Sequence, residues 1–376
     1  MAVARVGILG GGQLARMLAA AAEPLGLEAI VQTASEADPA VATASDAILV
    51  PLSDAAATAR LAERCDVLTF ENESIDLALL QPLAQQGTCF RPSLASLEPL
   101  LDKYRQRCCL QALGLPTPRF AALTAGGDCE PDWGFPAVLK ARRHGYDGYG
   151  TTIVADRSAL EASWAQQGHP AMLLEEYVPY ERELAIMAAR NLSGEIAVFP
   201  LVETQQQDQV CHCAIVPAPV SEGIREQAEA MARTLLWQLQ IVGTFGIEFF
   251  LRPSGELLVN EVAPRTHNSG HYSLDACDRS QFELQLRAIA DWPLGQPQLR
   301  WPGAVMINLL GYEYAQDAYS EKRAQLAAVP QARVHWYGKQ QSRPGRKLGH
   351  VTVPLESGEL GEAQALGDRV AALWYP

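Results

Sequence analysis

The chain has no run of about 18 apolar residues, the length a membrane-crossing helix needs, so no transmembrane helix is expected. No C-x-x-C pair occurs. Its eight cysteines, Cys65, Cys89, Cys108, Cys109, Cys129, Cys211, Cys213 and Cys277, are therefore expected as reduced cytosolic thiols. Basic residues are in deficit: 30 Lys and Arg stand against 43 Asp and Glu, a net charge of -13. That argues against general nucleic-acid binding, which needs a basic face. There is no internal repeat and no low-complexity tract. The first nine residues are too short for a signal h-region and run straight into a glycine turn. A first strand, in a cytoplasmic protein, is the expectation there.

What is present reads as ordinary globular sequence. A length of 376 residues is enough for two or three packed domains. Strand-like runs at 5–9, 28–32, 47–50 and 66–70 alternate with helix-like runs, notably 13–22. This pattern predicts a parallel, doubly wound α/β sheet. A helix over about 97–113 follows. Gly114-Leu115-Pro116-Thr117-Pro118 then breaks the chain. A short α/β unit comes next, with strands at 137–140, 151–154 and 172–178. The remainder is α+β in character: strands at 183–190 and 196–202, an amphipathic helix over 222–240, and a hairpin pairing 246–251 with 256–262.

Gly10-Gly11-Gly12-Gln13-Leu14-Ala15 fits G-x-G-x-x-A between a strand and a helix, a turn that aims helix N–H groups at an anion. A nicotinamide dinucleotide also requires an acid ending the second strand. Here that strand ends Val31-Gln32-Thr33, and the first acids, Glu36 and Asp38, lie in a loop. A phosphate or sugar ligand, or a turn serving packing alone, are the other readings.

Lys140 closes an apolar strand, and the loop Gly145-Tyr146-Asp147-Gly148-Tyr149-Gly150 follows. A strand lysine can aim its ammonium at nucleotide phosphates, and a glycine loop can fold over them and shut out water. The alternative is a flexible surface hairpin. No G-K-[ST] ends the loop, so it is not a Walker A sequence. Further on, Leu173-Leu174-Glu175-Glu176-Tyr177-Val178 and Glu183 suit an adenine hinge and a ribose acceptor, or simply solvated strand caps.

Glu248 and Glu261 each interrupt an apolar strand of the hairpin. Two converging carboxylates repel, and burying them unpaired is costly. A hard cation with oxygen ligands resolves both problems; a basic partner is the other solution. Arg265, His267 and Asn268 follow at once. A planar oxyanion suits an Arg fork with neighbouring donors. His267 with His271 as metal ligands, and Cys211-His212-Cys213 as a metal strand, are weaker alternatives. Near the C-terminus Arg343, Arg346 and Lys347 form a basic cluster behind a Pro-Gly turn, either a solvated face or an anion site.

The order of these motifs resembles the ATP-grasp superfamily and, within it, the N5-carboxyaminoimidazole ribonucleotide synthetase family. The segments that carry the likeness are GGGQLARM, FENES, KARRHGYDGYGT, LLEEYVPYERE, GIEFF, NEVAPRTHNSGHYSLDACDRSQFELQLRAI and HWYGKQQSRPGRKLGH, spanning residues 10–350. The resemblance implies an ATP-grasp fold with three parts: a pre-ATP-grasp α/β domain at 1–114, a lid at 115–180, and a C-terminal ATP-grasp domain with a substrate-binding tail at 181–376.

It implies a homodimer that uses ATP, Mg²⁺ and bicarbonate to carboxylate 5-aminoimidazole ribonucleotide. It would place Lys103 and Lys140 on ATP phosphates, under a lid formed by Tyr146, Gly148 and Gly150. Glu175, Glu176, Tyr177 and Val178 would line the adenine, and Glu183 the ribose. Glu248 and Glu261 would hold Mg²⁺. Arg265, His267 and Asn268 would hold bicarbonate or carboxyphosphate, with Asp147 or His267 managing a proton. Gly12, Gln13, Leu14, Glu71, Tyr146, Asp147, Lys339, Arg346 and Lys347 would hold the ribonucleotide, its 5′-phosphate shared between Arg346, Lys347 and the helix N-terminus at Gly12-Gln13. Two positions depart from the family pattern: His144 stands where a second glycine is frequent, and Tyr149 where Lys, Arg or Gln is commoner.

Overall fold

A computed structural model describes residues 3–124, 131–145 and 148–376. Three sheets follow one another along the chain. The first is built from β1 (Arg5–Leu9), β2 (Glu28–Thr33), β3 (Asp46–Leu49) and β4 (Val67–Phe70), in the order β3-β2-β1-β4. Every pair in it is parallel, so each connection must cross over rather than turn back in a tight hairpin; helices make two of these connections. Those helices are α1 (Gln13–Ala22) and α2 (Ala55–Arg64). α1 buries Leu14, Ala15, Met17, Leu18, Ala19 and Ala22.

Three helices lead on: α3 (Leu77–Gln85), α4 (Leu94–Leu97) and α5 (Lys103–Ala112). The helix expected over 97–113 therefore starts later. Asp102 caps it, accepting from the Tyr104 and Arg105 N–H groups, and this fixes Lys103 at its first turn.

The second sheet is small and antiparallel: β5 (Phe120–Leu123), β6 (Ala137–Ala141), β7 (Thr151–Val154) and β8 (Met172–Glu176), ordered β5-β8-β6-β7. α6 (Arg157–Gln166) covers it, with Leu160 and Trp164 packed on Leu139 and Leu174.

The third sheet has nine strands. They are β9 (Arg182–Arg190), β10 (Ile196–Val198), β11 (Val202–Gln207), β12 (Val210–Val216), β13 (Gly243–Leu251), β14 (Leu257–Ala263), β15 (Gly303–Leu310), β16 (Arg333–Trp336) and β17 (Lys347–Leu355). The path runs β14-β13-β9-β11-β12-β15-β17-β16, with β10 on β9. The strand expected over 196–202 is split into β10 and β11; Pro200, between them, has no N–H to offer a ladder. The helices of this part are α7 (Glu222–Gln238), α8 (Ser273–Ala276), α9 (Gln281–Ile289), α10 (Ser320–Ala327) and α11 (Leu360–Trp374). β17 starts within the basic cluster, at Lys347, and is buried from Leu348 onward. Phe282, Leu286 and Ile289 of α9 share one core with Leu14, Met17 and Leu18 of α1. That shared core holds the first sheet against the third.

Candidate active site

The β13–β14 hairpin sets Glu248 directly opposite Glu261. A bulge just beyond leaves Asn260 without a cross-strand partner in the register. Asn260 Nδ2 donates to Glu248 Oε2 over 3.4 Å, and its Oδ1 accepts from Lys140 Nζ over 3.3 Å. Burial pushes the Glu248 carboxyl up to about 7, and the charge of Glu261 adds to the effect. Glu261 is lowered: burial acts against its charge, but Lys103, whose Nζ is 2.5 Å from Glu261 Oε2, prevails. Paired carboxylates, one of them resisting ionisation, with an amide between, are a donor set that fits a hard divalent cation. The basic partner is present as well, in Lys103.

Lys140 projects from β6 and donates to Glu175 Oε2 at 2.7 Å. Arg107 of α5 binds the other Glu175 oxygen. Burial alone would raise the Glu175 carboxyl, yet Arg107 and then Lys140 hold it at about 2. Glu175, expected on the adenine, therefore has both carboxylate oxygens committed to buried cations. The Glu176 carboxylate is likewise taken, by Arg119 and Arg252 at 2.6 Å each. Tyr177 is exposed and Val178 buried. Burial pushes Glu183 up, against hydrogen bonds from Tyr180 and Gln206 and the charge of Lys140.

Arg265 donates to Glu73 Oε1 at 2.8 Å and to the Thr266 carbonyl at 2.9 Å. Its Nε is buried with no hydrogen-bond partner among the described residues. His267 Nε2 lies 3.4 Å from Glu248 Oε1, and its Nδ1 lies 2.6 Å from Ser269 Oγ. The Gln281 amide binds both the N–H and the carbonyl of His267, at 2.8 and 2.7 Å. A Cβ on Gly246 would come 2.4 Å from His267 Cβ, so glycine is what lets the loop lie on β13. Asn268, expected at bicarbonate, exchanges amide hydrogen bonds with Asn308 at 2.9 and 2.7 Å. His271 is fully buried, against Phe282, with Nδ1 3.1 Å from Gln281 Nε2. It turns into the core, so the reading of His267 and His271 as a ligand pair is corrected. Cys211 donates weakly to the Cys213 carbonyl, and this strand joins no metal-spaced cluster among the described residues.

The glycine turn after β1 is shaped by Glu71, at the end of β4. Its carboxylate accepts from the N–H groups of Gly12, Leu14 and Ala15 at 2.7, 3.2 and 3.4 Å. Burial pushes this carboxyl up, and the three N–H bonds counter it. A Cβ on Gly12 would meet Glu71 at 2.3 Å, and one on Gly11 would meet Thr33 at 2.2 Å. Of the two N–H groups expected at a substrate phosphate, Gly12 and Gln13, that of Gly12 is thus already bound by a protein carboxylate. Asp38 accepts from the Thr33 hydroxyl at the end of β2, where a dinucleotide site would need a free acid.

The tail reaches this region. Arg346 feels the charge of Asp38, and Lys347 that of Glu248. Lys339 donates to the Lys347 carbonyl at 2.7 Å, and Arg346 to the Gln341 carbonyl at 2.8 Å. After β6, His144 has φ +61°, the left-handed conformation that glycine favours. Gly148 has φ +76° and faces Gln209 of the β11–β12 turn, where a Cβ would come 2.6 Å from that side chain. Gly150, with φ +78°, lies against Ala141. Tyr146 and Asp147 lie outside the described residues.

Sequence reasoning missed Arg107, Glu73, Asn260 and Asn308. Asn260 carried a signal, a polar residue beside Glu261 in an apolar strand. Arg107 carried none, because its partners stand 68, 152 and 153 positions away.

Known proteins agree with this architecture. The family model for the ribonucleotide synthetase preATP-grasp domain matches residues 3–98, that for the ATP-grasp domain residues 108–282, and that for the phosphoribosylaminoimidazole carboxylase C-terminal domain residues 304–364. The chain is 52% identical to the N5-carboxyaminoimidazole ribonucleotide synthase of Synechococcus elongatus, over 99% of this chain and 96% of that one. The N5-carboxyaminoimidazole ribonucleotide synthetase of Thermotoga maritima superposes with a TM-score of 0.87 at 37% identity, covering 99% of this chain and 98% of that one. The N5-carboxyaminoimidazole synthase of Aspergillus clavatus, solved with ADP and 5-aminoimidazole ribonucleotide, gives 0.89 at 28% identity over 99% of each chain. With more than half of its residues identical to a relative it matches almost end to end, the chain belongs to the N5-carboxyaminoimidazole ribonucleotide synthase family.

Proposed function

We infer that this chain is an ATP-dependent carbon–nitrogen ligase of purine biosynthesis. It carboxylates 5-aminoimidazole ribonucleotide with bicarbonate, forming N5-carboxyaminoimidazole ribonucleotide, ADP and phosphate. Within the structure, the observation that carries the reading is the Glu248–Glu261 pair, beside Asn260, whose side chain accepts from Lys140.

Bicarbonate is a poor electrophile because its carbon bears poor leaving groups. Its oxygen attacks the γ-phosphorus of ATP, ADP departs, and carboxyphosphate forms. The exocyclic amine of the ribonucleotide then captures the carboxyl carbon, the N–C bond forms, and phosphate leaves. Lys103 and Lys140 are assigned to the ATP phosphates, and the Tyr177–Val178 segment and Glu183 to the adenosine. Glu248, Glu261 and Asn260 would hold Mg²⁺, which when bound offsets charge on the transferring phosphoryl group. The unpaired Nε of Arg265 is a buried donor for bicarbonate. His267, held by Gln281 beside Glu248, or Asp147 takes the amine proton. Arg346, Lys347 and Lys339 hold the ribonucleotide phosphate. Glu71, bound to the N–H groups of the glycine turn, orders the wall beneath it. The lid at 143–150 excludes water from a short-lived mixed anhydride.

The three units proposed are 1–114, 115–180 and 181–376, assembled as a homodimer in the cytoplasm, where the free cysteines are stable. The reaction is tested by ADP release with bicarbonate or formate, with and without ribonucleotide. Release that depends on bicarbonate and ribonucleotide is expected. Preference for formate would point to another ATP-grasp ligase, absence of turnover to a regulatory nucleotide binder, and a change in NADH absorbance to an oxidoreductase. Sedimentation equilibrium tests the dimer.

A further inference from the structure

We propose that Arg107 and Glu175 are positioning residues that hold Lys140 at the nucleotide and leave its positive charge unbalanced. The proposal rests on the reading of Lys140 as a contact to ATP. The three side chains come from different elements, α5, β8 and β6. They form one buried row, with Glu175 between the two cations and side chains 3%, 2% and 12% exposed in the order Arg107, Glu175, Lys140. A simple structural ion pair would match charge one for one. Here two cations share one carboxylate, and a guanidinium does not deprotonate in proteins. Two further carboxylates feel Lys140: Glu261, which is bound by Lys103 at 2.5 Å, and Glu183, whose charged form burial disfavours. The row therefore carries one excess positive charge in a poorly solvated place, where unpaired charge is costly. Lys140 is the better exposed of its two cations, so the excess is presented there, to an anion.

Arg107 also fixes where Lys140 stands. Its Nη1 donates to the Val259 carbonyl at 3.3 Å, and its Nη2 binds the Asn260 carbonyl. The Asn260 side chain in turn accepts from Lys140 and donates to Glu248. One arginine thus registers the lid strand that carries Glu175 against the strand that carries Glu261. Glu175 acts through Lys140, because both of its oxygens are occupied.

Charge complementation tests this. ATP affinity is measured by calorimetry, and kcat and KM for ATP and ribonucleotide are measured separately. Arg107→Met, which cancels the excess charge, is expected to weaken ATP at least about tenfold while leaving the ribonucleotide KM within about twofold. Arg107→Lys should stay within about threefold of wild type for ATP. Arg107→Met combined with Glu175→Gln restores the excess charge and should recover ATP affinity to within about threefold of wild type. Equal losses in the Met and Lys variants, or a double variant no better than Arg107→Met, would overturn the proposal in favour of a packing role.

Should Arg107→Met fail to fold, Glu175→Gln alone decides. It keeps both cations, so ATP affinity should hold within about threefold while kcat falls about tenfold, because the ammonium is no longer held in one place. Lost ATP affinity with unchanged kcat would instead make Glu175 a direct nucleotide contact and overturn the proposal. Calorimetry reads ATP binding whether or not carboxylation occurs, so failure of the proposed reaction would be seen separately, in wild-type ADP release.

Discussion

Glu248 and Glu261 stand directly opposite each other across the β13–β14 hairpin, and the repulsion between them helps keep the Glu248 carboxyl up at about 7. A shift of one residue in that register would send one of the two to the other face of the sheet. The hairpin thus aligns two mutually unfavourable groups, an arrangement suited to metal binding rather than stability.

The first prediction follows from that conflict. Glu248→Gln is expected to cut ATP turnover at least about 100-fold, because a metal ligand is lost. The same change should keep or raise Tm, because it removes a buried charge repelled by its neighbour. Glu261→Gln should also abolish turnover, but with a lower Tm, since Lys103 loses its partner. Turnover near wild type in both variants at saturating Mg²⁺ would refute the metal assignment.

Gly246 supports His267 by having no side chain. An added Cβ would come 2.4 Å from His267 Cβ, and β13, paired on both sides by β14 and β9, has little room to yield. Gly246→Ala should cost about 2 kcal/mol and impair bicarbonate-dependent ADP release more than ATP binding. Chemical denaturation together with ATP titration checks both parts.

In the proposed function Arg346 holds the ribonucleotide rather than ATP. Arg346→Ala should raise the KM for ribonucleotide about tenfold, a loss of roughly 1.4 kcal/mol, with ATP affinity little changed. The dephosphorylated nucleoside should bind wild type poorly and be nearly insensitive to the substitution. Equal binding of nucleoside and nucleotide would rule out a phosphate contact.

Acid stability should report His271 and His350. Both are fully buried and held well below the usual 6.5, chiefly by burial. Below pH 6.5 the unfolded chain binds protons that the folded one refuses. Their stabilisation is therefore complete above 6.5 and is lost as pH falls toward the lowered folded values, by up to about 1.4 kcal/mol per pH unit for each histidine. The raised Glu248 carboxyl contributes with the opposite sign as pH falls below about 7, so the histidine contribution is read by difference: between about pH 6.5 and 5 the urea midpoint of wild type should fall relative to that of His350→Gln.

The sequence by itself determined the alternation of strands and helices, the hairpin, the likeness to the family, and the residue types of the site. These depend on local periodicity, on turns, and on motifs whose members lie close in the chain. Glu248 and Glu261 were legible because each breaks an apolar strand, and the strand period then placed them on one face. Only the tertiary structure decided how the charges are used. Glu71 closes the helix N-terminus from 59 residues away, Arg107 and Lys140 claim Glu175 across three elements, and Asn308 of β15 pairs with Asn268 from 40 residues away. Strand and helix periods say which face a side chain takes. They do not say which distant group will meet it there. In a buried site that meeting decides which charges are neutralised and which are left to act on a substrate.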